Sequence, residues 1–265
     1  MSDVVIQTRT DGALHLTLSR PRRRNAMSFA MVDALIAALE AVRSDRSVRA
    51  IVLRGAEGNF CSGGDIKDMA AIRGDAPGPD GRDPIAVGNR RFGFMLQAFE
   101  DAPQPVIAVC EGAVMGGGFG LACVADITFA VQGARFRLPE TGLGLTPAQV
   151  MPFIVRRIGL TQARRLAVTG ADLSADQAAA IGLAHASITT EEIDDQVAKT
   201  LADIQRGGPE AVAATKALAL SVGTMPLDAL LDAAADGFAA ASRGEEAMAG
   251  LMAFISKTEP PWVSR

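Results

Sequence analysis

Leu14, Leu16 and Leu18 alternate with His15 and Thr17, the period-two pattern of a half-buried strand. Pro21 and the basic Arg20, Arg22, Arg23 and Arg24 end it. Ser28 then stands where a helix cap belongs, ahead of Met31, Leu35, Ile36, Leu39 and Val42 on one helical face. Three further runs show no polar alternation: Ala50 to Leu53, Val106 to Cys110, and Ile127 to Val131. Continuous apolar runs of that length predict buried strands, covered on both faces. Strands alternating with helices predict an α/β or mixed fold in which helices cover sheets.

Residues 74–90 break this pattern. Gly74-Asp75-Ala76-Pro77-Gly78-Pro79-Asp80-Gly81-Arg82-Asp83-Pro84 is turn-forming by composition and predicts a loop over 74–90, placed to act as a lid. From about Leu160 onward the pattern is helical, with helices expected over 190–206, 209–222, 227–241 and 245–256. Ser174-Ala175-Asp176-Gln177 and Thr189-Thr190-Glu191-Glu192 have the spacing of capping boxes. Alanine-rich faces in the last helices suit helix packing or subunit contact.

Composition narrows the function. The 265 residues are 49% hydrophobic, enough for a large core in one domain or a domain with an appendage. A net charge of −4 argues against a broad nucleic-acid footprint, so no nucleic-acid partner is expected. Cys61, Cys110 and Cys123 lack metal-ligand spacing and read as packing residues in a reducing cytosol; no metal is expected. The N-terminus lacks a basic region followed by an apolar run, and the uncharged stretch Ala113–Ala125 is shorter than the ~20 residues of a membrane span. A soluble, cytoplasmic protein without membrane partners follows as the expectation. Two histidines, no tyrosine and no Gly-x-Ser-x-Gly elbow weigh against a Ser-His-Asp hydrolase.

Two glycine turns carry the candidate chemistry: Phe60-Cys61-Ser62-Gly63-Gly64-Asp65-Ile66 and Gly116-Gly117-Gly118-Phe119-Gly120. Each follows a β-like run and opens a helix-like one. Together they can aim two backbone N–H groups at one oxygen. The triple glycine fits neither a P-loop nor a dinucleotide fingerprint. Glu140, within Arg137-Leu138-Pro139-Glu140-Thr141-Gly142-Leu143-Gly144, is the carboxylate to set beside them. Glu111 reads as a strand-end residue, and Asp126 as a partner for local backbone groups. Cys61 has no adjacent base and reads as inert.

These turns, with Arg20-Pro21-Arg22-Arg23-Arg24-Asn25-Ala26-Met27, Glu111 to Gly118, Leu138 to Gly144, Thr169-Gly170, Ile181-Gly182-Leu183 and Phe254 to Lys257, resemble the crotonase, or enoyl-CoA hydratase/isomerase, superfamily in order over nearly the whole chain. The resemblance implies a spiral of ββα repeats forming two sheets, then a helical C-terminal region. It divides the chain into 1–200, a core with the acyl-CoA site, and 201–265, helices for oligomerisation that also cover CoA. It implies a homotrimer or a hexamer built as a dimer of trimers. It places the oxyanion donors on Gly64 and Gly117, with Gly63 and Gly116 beside them, and the acid/base on Glu140. It places Arg23, Ala26, Asp65, Ile66 and Lys257 along CoA, which is part of the substrate; no cofactor is implied.

Straight-chain hydratases of this family carry a second glutamate where this chain has Gly120. Segments 135–149 and 161–166 look most like isohexenylglutaconyl-CoA and methylglutaconyl-CoA hydratases. The expected activity is therefore addition of water to a branched 2-enoyl-CoA, with Arg90, Arg91 and Arg137 as candidates to meet the substrate's own carboxylate. A Δ3,Δ2-enoyl-CoA isomerase using one base is the alternative reaction. An acyl-CoA-binding protein without turnover is the alternative outside enzymology.

Overall fold

Asp11 and Gly12, both at positive φ, close a tight hairpin between strands β1 (Val5–Thr10) and β2 (Ala13–Leu18). This first strand was not legible, because Val5 is its one buried residue. The structure is a computed structural model and describes residues 4–78 and 80–263. Helix α1 (Phe29–Val42) follows, capped by the Ser28 hydroxyl, which accepts from Met31 N at 3.3 Å. Next come β3 (Ala50–Gly55), α2 (Ile66–Ala71), α3 (Pro84–Glu100), β4 (Val106–Cys110), β5 (Ala113–Met115) and α4 (Gly117–Val124). Then follow β6 (Ile127–Val131), β7 (Arg135–Arg137), α5 (Met151–Thr169), β8 (Leu173–Ser174), α6 (Ala175–Ala180) and β9 (Ala186–Ile188). Helices α7 (Ile193–Gln205), α8 (Pro209–Ser221), α9 (Leu227–Ser242) and α10 (Glu245–Ser256) complete the described chain.

The mixed α/β expectation holds. A six-stranded sheet runs β1-β2-β3-β4-β6-β9, parallel except for the opening hairpin. Its register sets Leu14 beside Ile51 and Leu16 beside Leu53. Those side chains enter the main core, while Val52, Ile107, Val109 and Phe129 face the other way onto Ile193, Val197 and Leu201 of α7. Burial on both faces explains the apolar runs at 50–53, 106–110 and 127–131. A smaller sheet, β5-β7-β8, carries one glycine turn at its edge.

Two local readings change. The loop expected over 74–90 stops at Asp83, whose carboxylate accepts from Ile85 N and Ala86 N at 2.7 and 3.4 Å. Pro84 is the first residue of α3, a position where its missing N–H costs nothing. Asp-Pro was a cap, and composition alone disguised it. The Ser174–Gln177 capping box forms in full. At 189–192 half of one forms: the Glu192 carboxylate accepts from Thr189 N at 2.7 Å, and α7 starts at Ile193.

The last helices attach through polar groups. Lys216 Nζ donates to Asp126 Oδ2 at 2.6 Å, and the same oxygen accepts from Val106 N at 2.8 Å. The Glu246 carboxylate accepts from Glu210 N and Ala211 N, so α10 caps the positive end of α8. Residue 200, the expected division, lies within α7. Among the described residues no helix is long and apolar enough to cross a membrane.

Asn25 is wholly buried at φ 55° and ties the 20–27 turn down. Its carboxamide accepts from Arg20 N at 2.9 Å and donates to the Ala56 and Asn59 carbonyls. Replacing Asn25 with alanine leaves these groups unpaired, and we expect a loss of about 2–4 kcal/mol in urea unfolding at unchanged m-value.

Candidate active site

Met27 braces both glycine turns. Its N–H donates to Gly63 O, and its carbonyl accepts from Asp65 N, each at 2.8 Å, forming a parallel bridge to Gly64. A second bridge joins Cys61 to Val114: Cys61 N donates to Ala113 O at 2.8 Å and Met115 N to Cys61 O at 2.9 Å. Single-bridge strands therefore extend the small sheet across the 61–65 turn to Met27. Gly63 at φ +103° and Gly116 at φ +52° make the turns possible. A side chain on Gly118 would stand 2.6 Å from Cys61 O, and one on Gly117 would overlap the Met27 methyl. At 118 glycine is required for α4 to dock against the first turn, because the clash there is with backbone, whereas at 117 glycine leaves the Met27 methyl in place. The outcome is two backbone N–H groups, of Gly64 and Gly117, without a partner among the described residues.

Both glycines line a cavity of about 520 Å³, as do Gly63, Gly116, Ile66 and Glu140. Pro139 and a 3-10 turn at Glu140–Leu143 deliver the glutamate. Its Oε1 lies 2.8 Å from where a side chain on Gly116 would begin, and its Oε2 is buried without a partner among the described residues. Burial pushes the Glu140 carboxyl above its ordinary range, against a hydrogen bond from its own backbone N–H. A side chain on Gly120 would meet Val150 Cγ1 at 2.6 Å and Leu96 Cδ1 at 3.2 Å. The wall where a second carboxylate would stand is thus apolar. A single carboxylate that holds its proton more tightly than usual suits a group that both gives and takes a proton.

The other expected residues scatter. Asp65 caps α2 and pairs with Arg20 at 2.7 Å; burial raises its pKa, but hydrogen bonds from Arg20 and Lys67 N prevail and hold it low. Arg23 and Ala26 lie in the adjoining turn, where Ser62 Oγ donates to Arg23 O at 3.0 Å, but neither lines the cavity. Lys257 ends α10 at φ 55° and is also outside the lining. Of the arginines, Arg91 pairs with Asp33, and Arg137 Nε donates to Gly170 O at 2.8 Å. Arg90 lies over Phe94, and the arginine in the lining is Arg73. Glu111 pairs with Arg54 at 3.3 Å, away from the lining. Burial raises the Cys61 thiol to about 12, against hydrogen bonds to Gly63 and Met27, so it stays protonated. Asn89 and Gln149, both in the lining, were missed. Asn89 fell in the segment read as a loop, and no local spacing marks Gln149. Among the described residues no group of three His, Cys, Asp or Glu side chains is placed to hold a metal ion.

Comparison with known proteins bears on the fold and the family. A family model described as enoyl-CoA hydratase/isomerase matches residues 8–265. An enoyl-CoA hydratase/isomerase from Marinobacter aquaeolei superposes with a TM-score of 0.95 at 47% identity, covering 98% of this chain and 99% of that one. Pseudomonas aeruginosa AtuE gives 0.93 at 49% identity, covering 99% and 100%. A carnitinyl-CoA dehydratase from Salmonella enteritidis is 30% identical over the whole of both chains, 100% of each.

Two outcomes follow. Gly116→Ala places an L-residue at φ +52°, ψ −114° and a methyl against the Glu140 carboxylate. We expect it to cost about 1–3 kcal/mol by thermal unfolding. Because the native carboxyl of Glu140 binds its proton more tightly than the unfolded one, its ionised form costs stability. That cost is absent below the ordinary value of 4.5 and grows as pH rises through the native pKa. Glu140→Gln removes it, so the variant should unfold at a higher temperature than the parent at pH 7, with the difference closing toward pH 4.

Proposed function

The chain belongs to the enoyl-CoA hydratase/isomerase family, and on that premise we propose that it is a hydro-lyase adding water across a 2-enoyl-CoA. The observation that carries this reading is one buried, proton-hungry carboxylate sharing a cavity with two unpartnered backbone N–H groups. The thioester oxygen sits between Gly64 N–H and Gly117 N–H. Glu140 takes a proton from water as the water oxygen bonds to C3. The C2=C3 electron pair moves to the thioester, giving an enolate whose oxygen the two donors hold. Glu140 then returns the proton to C2 and the enolate collapses. Each such donor supplies about 3–4 kcal/mol to the transition state. Thioester and glutamate supply all the chemistry, so no cofactor is needed; CoA enters as part of the substrate.

The substrate in this reading is a branched glutaconyl-CoA, such as isohexenylglutaconyl-CoA or methylglutaconyl-CoA. The likeness of 135–149 to hydratases of those compounds supports it, as does the apolar Val150–Leu96 wall beside the reacting carbons. Arg23, Ala26, Asp65 and Ile66 lie along CoA by that likeness, and Lys257 would meet it from a neighbouring copy. Exposed apolar side chains on α9 and α10, Phe238 at 77% and Phe254 at 83% among them, support a homotrimer or a dimer of trimers. Three buried, unpaired cysteines support a cytoplasmic setting.

The apolar wall also favours a second reading, a Δ3,Δ2-enoyl-CoA isomerase, in which Glu140 moves one proton and no water enters. Oxygen-18 water separates the two. We expect a labelled adduct by mass spectrometry from a glutaconyl substrate, reduced at least about 100-fold in Glu140→Gln. Unlabelled conversion of a 3-enoyl-CoA with no adduct would give the isomerase instead. Since the base must be ionised, hydration should fall off on the acid side at a pH above 4.5.

A further inference from the structure

Asn89 and Gln149 form a polar pair in the largely apolar lining of the cavity. Gln149 Nε2 donates to Asn89 Oδ1 at 2.9 Å, joining the segment before α5 to helix α3. The bond uses the acceptor of Asn89 and leaves its Nδ2 donor without a protein partner among the described residues, yet not sealed away. Gly93, one helical turn beyond Asn89, lacks the side chain that would otherwise collide with both Gln149 Oε1 and Arg90 Nη1. Because both would meet that one side chain, the carboxamide oxygen and the guanidinium are neighbours. Arg90 is itself held in place: Nη2 donates to Gln97 Oε1 at 2.6 Å, and the guanidinium lies 3.9 Å over the Phe94 ring. Beyond the N–H it gives to Asn89, the Gln149 carboxamide keeps a second N–H. The pair is a set of donors with a cation behind it, in a wall otherwise built from residues such as Phe92, Leu96 and Val150.

Donors backed by a positive charge suit an anion that can accept two or three hydrogen bonds. We propose that Asn89 and Gln149, polarised by Arg90, recognise a carboxylate on the acyl part of the substrate and so determine specificity for dicarboxylic acyl-CoA thioesters. The inference rests on the acyl-CoA reading of the cavity. It assigns the contact to residues other than the arginines themselves: Arg90 acts through Gln149 as a positioning residue. An uncharged acyl chain leaves the amide donors unpaired in an apolar pocket, which is how a polar site rejects the analogue that lacks its partner.

The test uses two unreactive analogues of equal chain length, glutaryl-CoA and pentanoyl-CoA, with binding to the full-length protein measured by calorimetry. The wild type should bind glutaryl-CoA about 10-fold or more tighter. Asn89→Asp keeps an acceptor for Gln149 Nε2–H, and so keeps the bond across the wall, but replaces the donor with a like charge. It should reverse the preference, mainly by weakening glutaryl-CoA. Gln149→Met should remove the preference while changing pentanoyl-CoA little. Equal binding of the two analogues by the wild type, or equal weakening of both in the variants, would overturn the assignment and leave the pair as a link between wall elements. Since neither analogue reacts, failure of hydration in oxygen-18 water with the glutaryl preference intact would sink the hydratase reading alone.

Discussion

Pairing of backbone amides around Met27 is the constraint on which the site depends. A buried N–H must find an acceptor, and in the first glycine turn nearly all do. Cys61 N, Ser62 N, Gly63 N and Asp65 N donate to Ala113 O, Arg24 O, Cys61 Sγ and Met27 O. Gly64 N is left over. The geometry of a parallel bridge produces this outcome: residues 63 and 65 bond to Met27, and residue 64 turns its amide away. Gly117 N is left over for a different reason, since it opens α4 and has no carbonyl a turn earlier to meet. Two backbone donors without a protein partner among the described residues thus face one cavity, the arrangement on which the proposed reaction rests.

The electrostatics of Glu140 follow from the same packing. The glycines that bring α4 against the first turn also remove side chains that could have hydrogen-bonded the glutamate. Gly116 leaves room for Oε1, while Oε2 faces no donor. A carboxylate in that setting holds its proton above the ordinary range. Val150 and Leu96 fill the space beside Gly120, so no second carboxylate lowers or shares the charge. The low polarity strengthens each remaining interaction in the cavity, including any made by Asn89 and Gln149.

The C-terminal helices differ from the core in how they are held. In the main core, Leu16, Leu53, Phe119 and Phe136 are wholly buried. Helix α8 has no buried residue of its own and relies on Lys216 with Asp126, and on the Glu246 cap. Large apolar side chains on α9 and α10 face outward. Buried apolar packing is therefore concentrated around the site, and the outer helices leave large apolar side chains exposed.

The sequence by itself determined the elements and the turns. Apolar runs marked strands β3, β4 and β6 because burial on two faces removes the need for polar alternation. Ser28 and Ser174 marked helix starts because a hydroxyl there satisfies an orphan amide. The glycines of both turns were legible because only glycine adopts those backbone angles and allows such close approach. Glu140 was legible from its place among ordered motifs. What tertiary structure decided is which groups share one space. That Met27 leaves Gly64 N–H free, that Val150 stands where a second carboxylate would, and that Asn89 meets Gln149 are contacts between segments distant in the chain. Asp83 and Pro84 show the same limit locally, since a cap and a loop have the same composition until the helix behind them packs. Local spacing records the preferences of each segment, whereas such contacts exist only once the whole chain has packed.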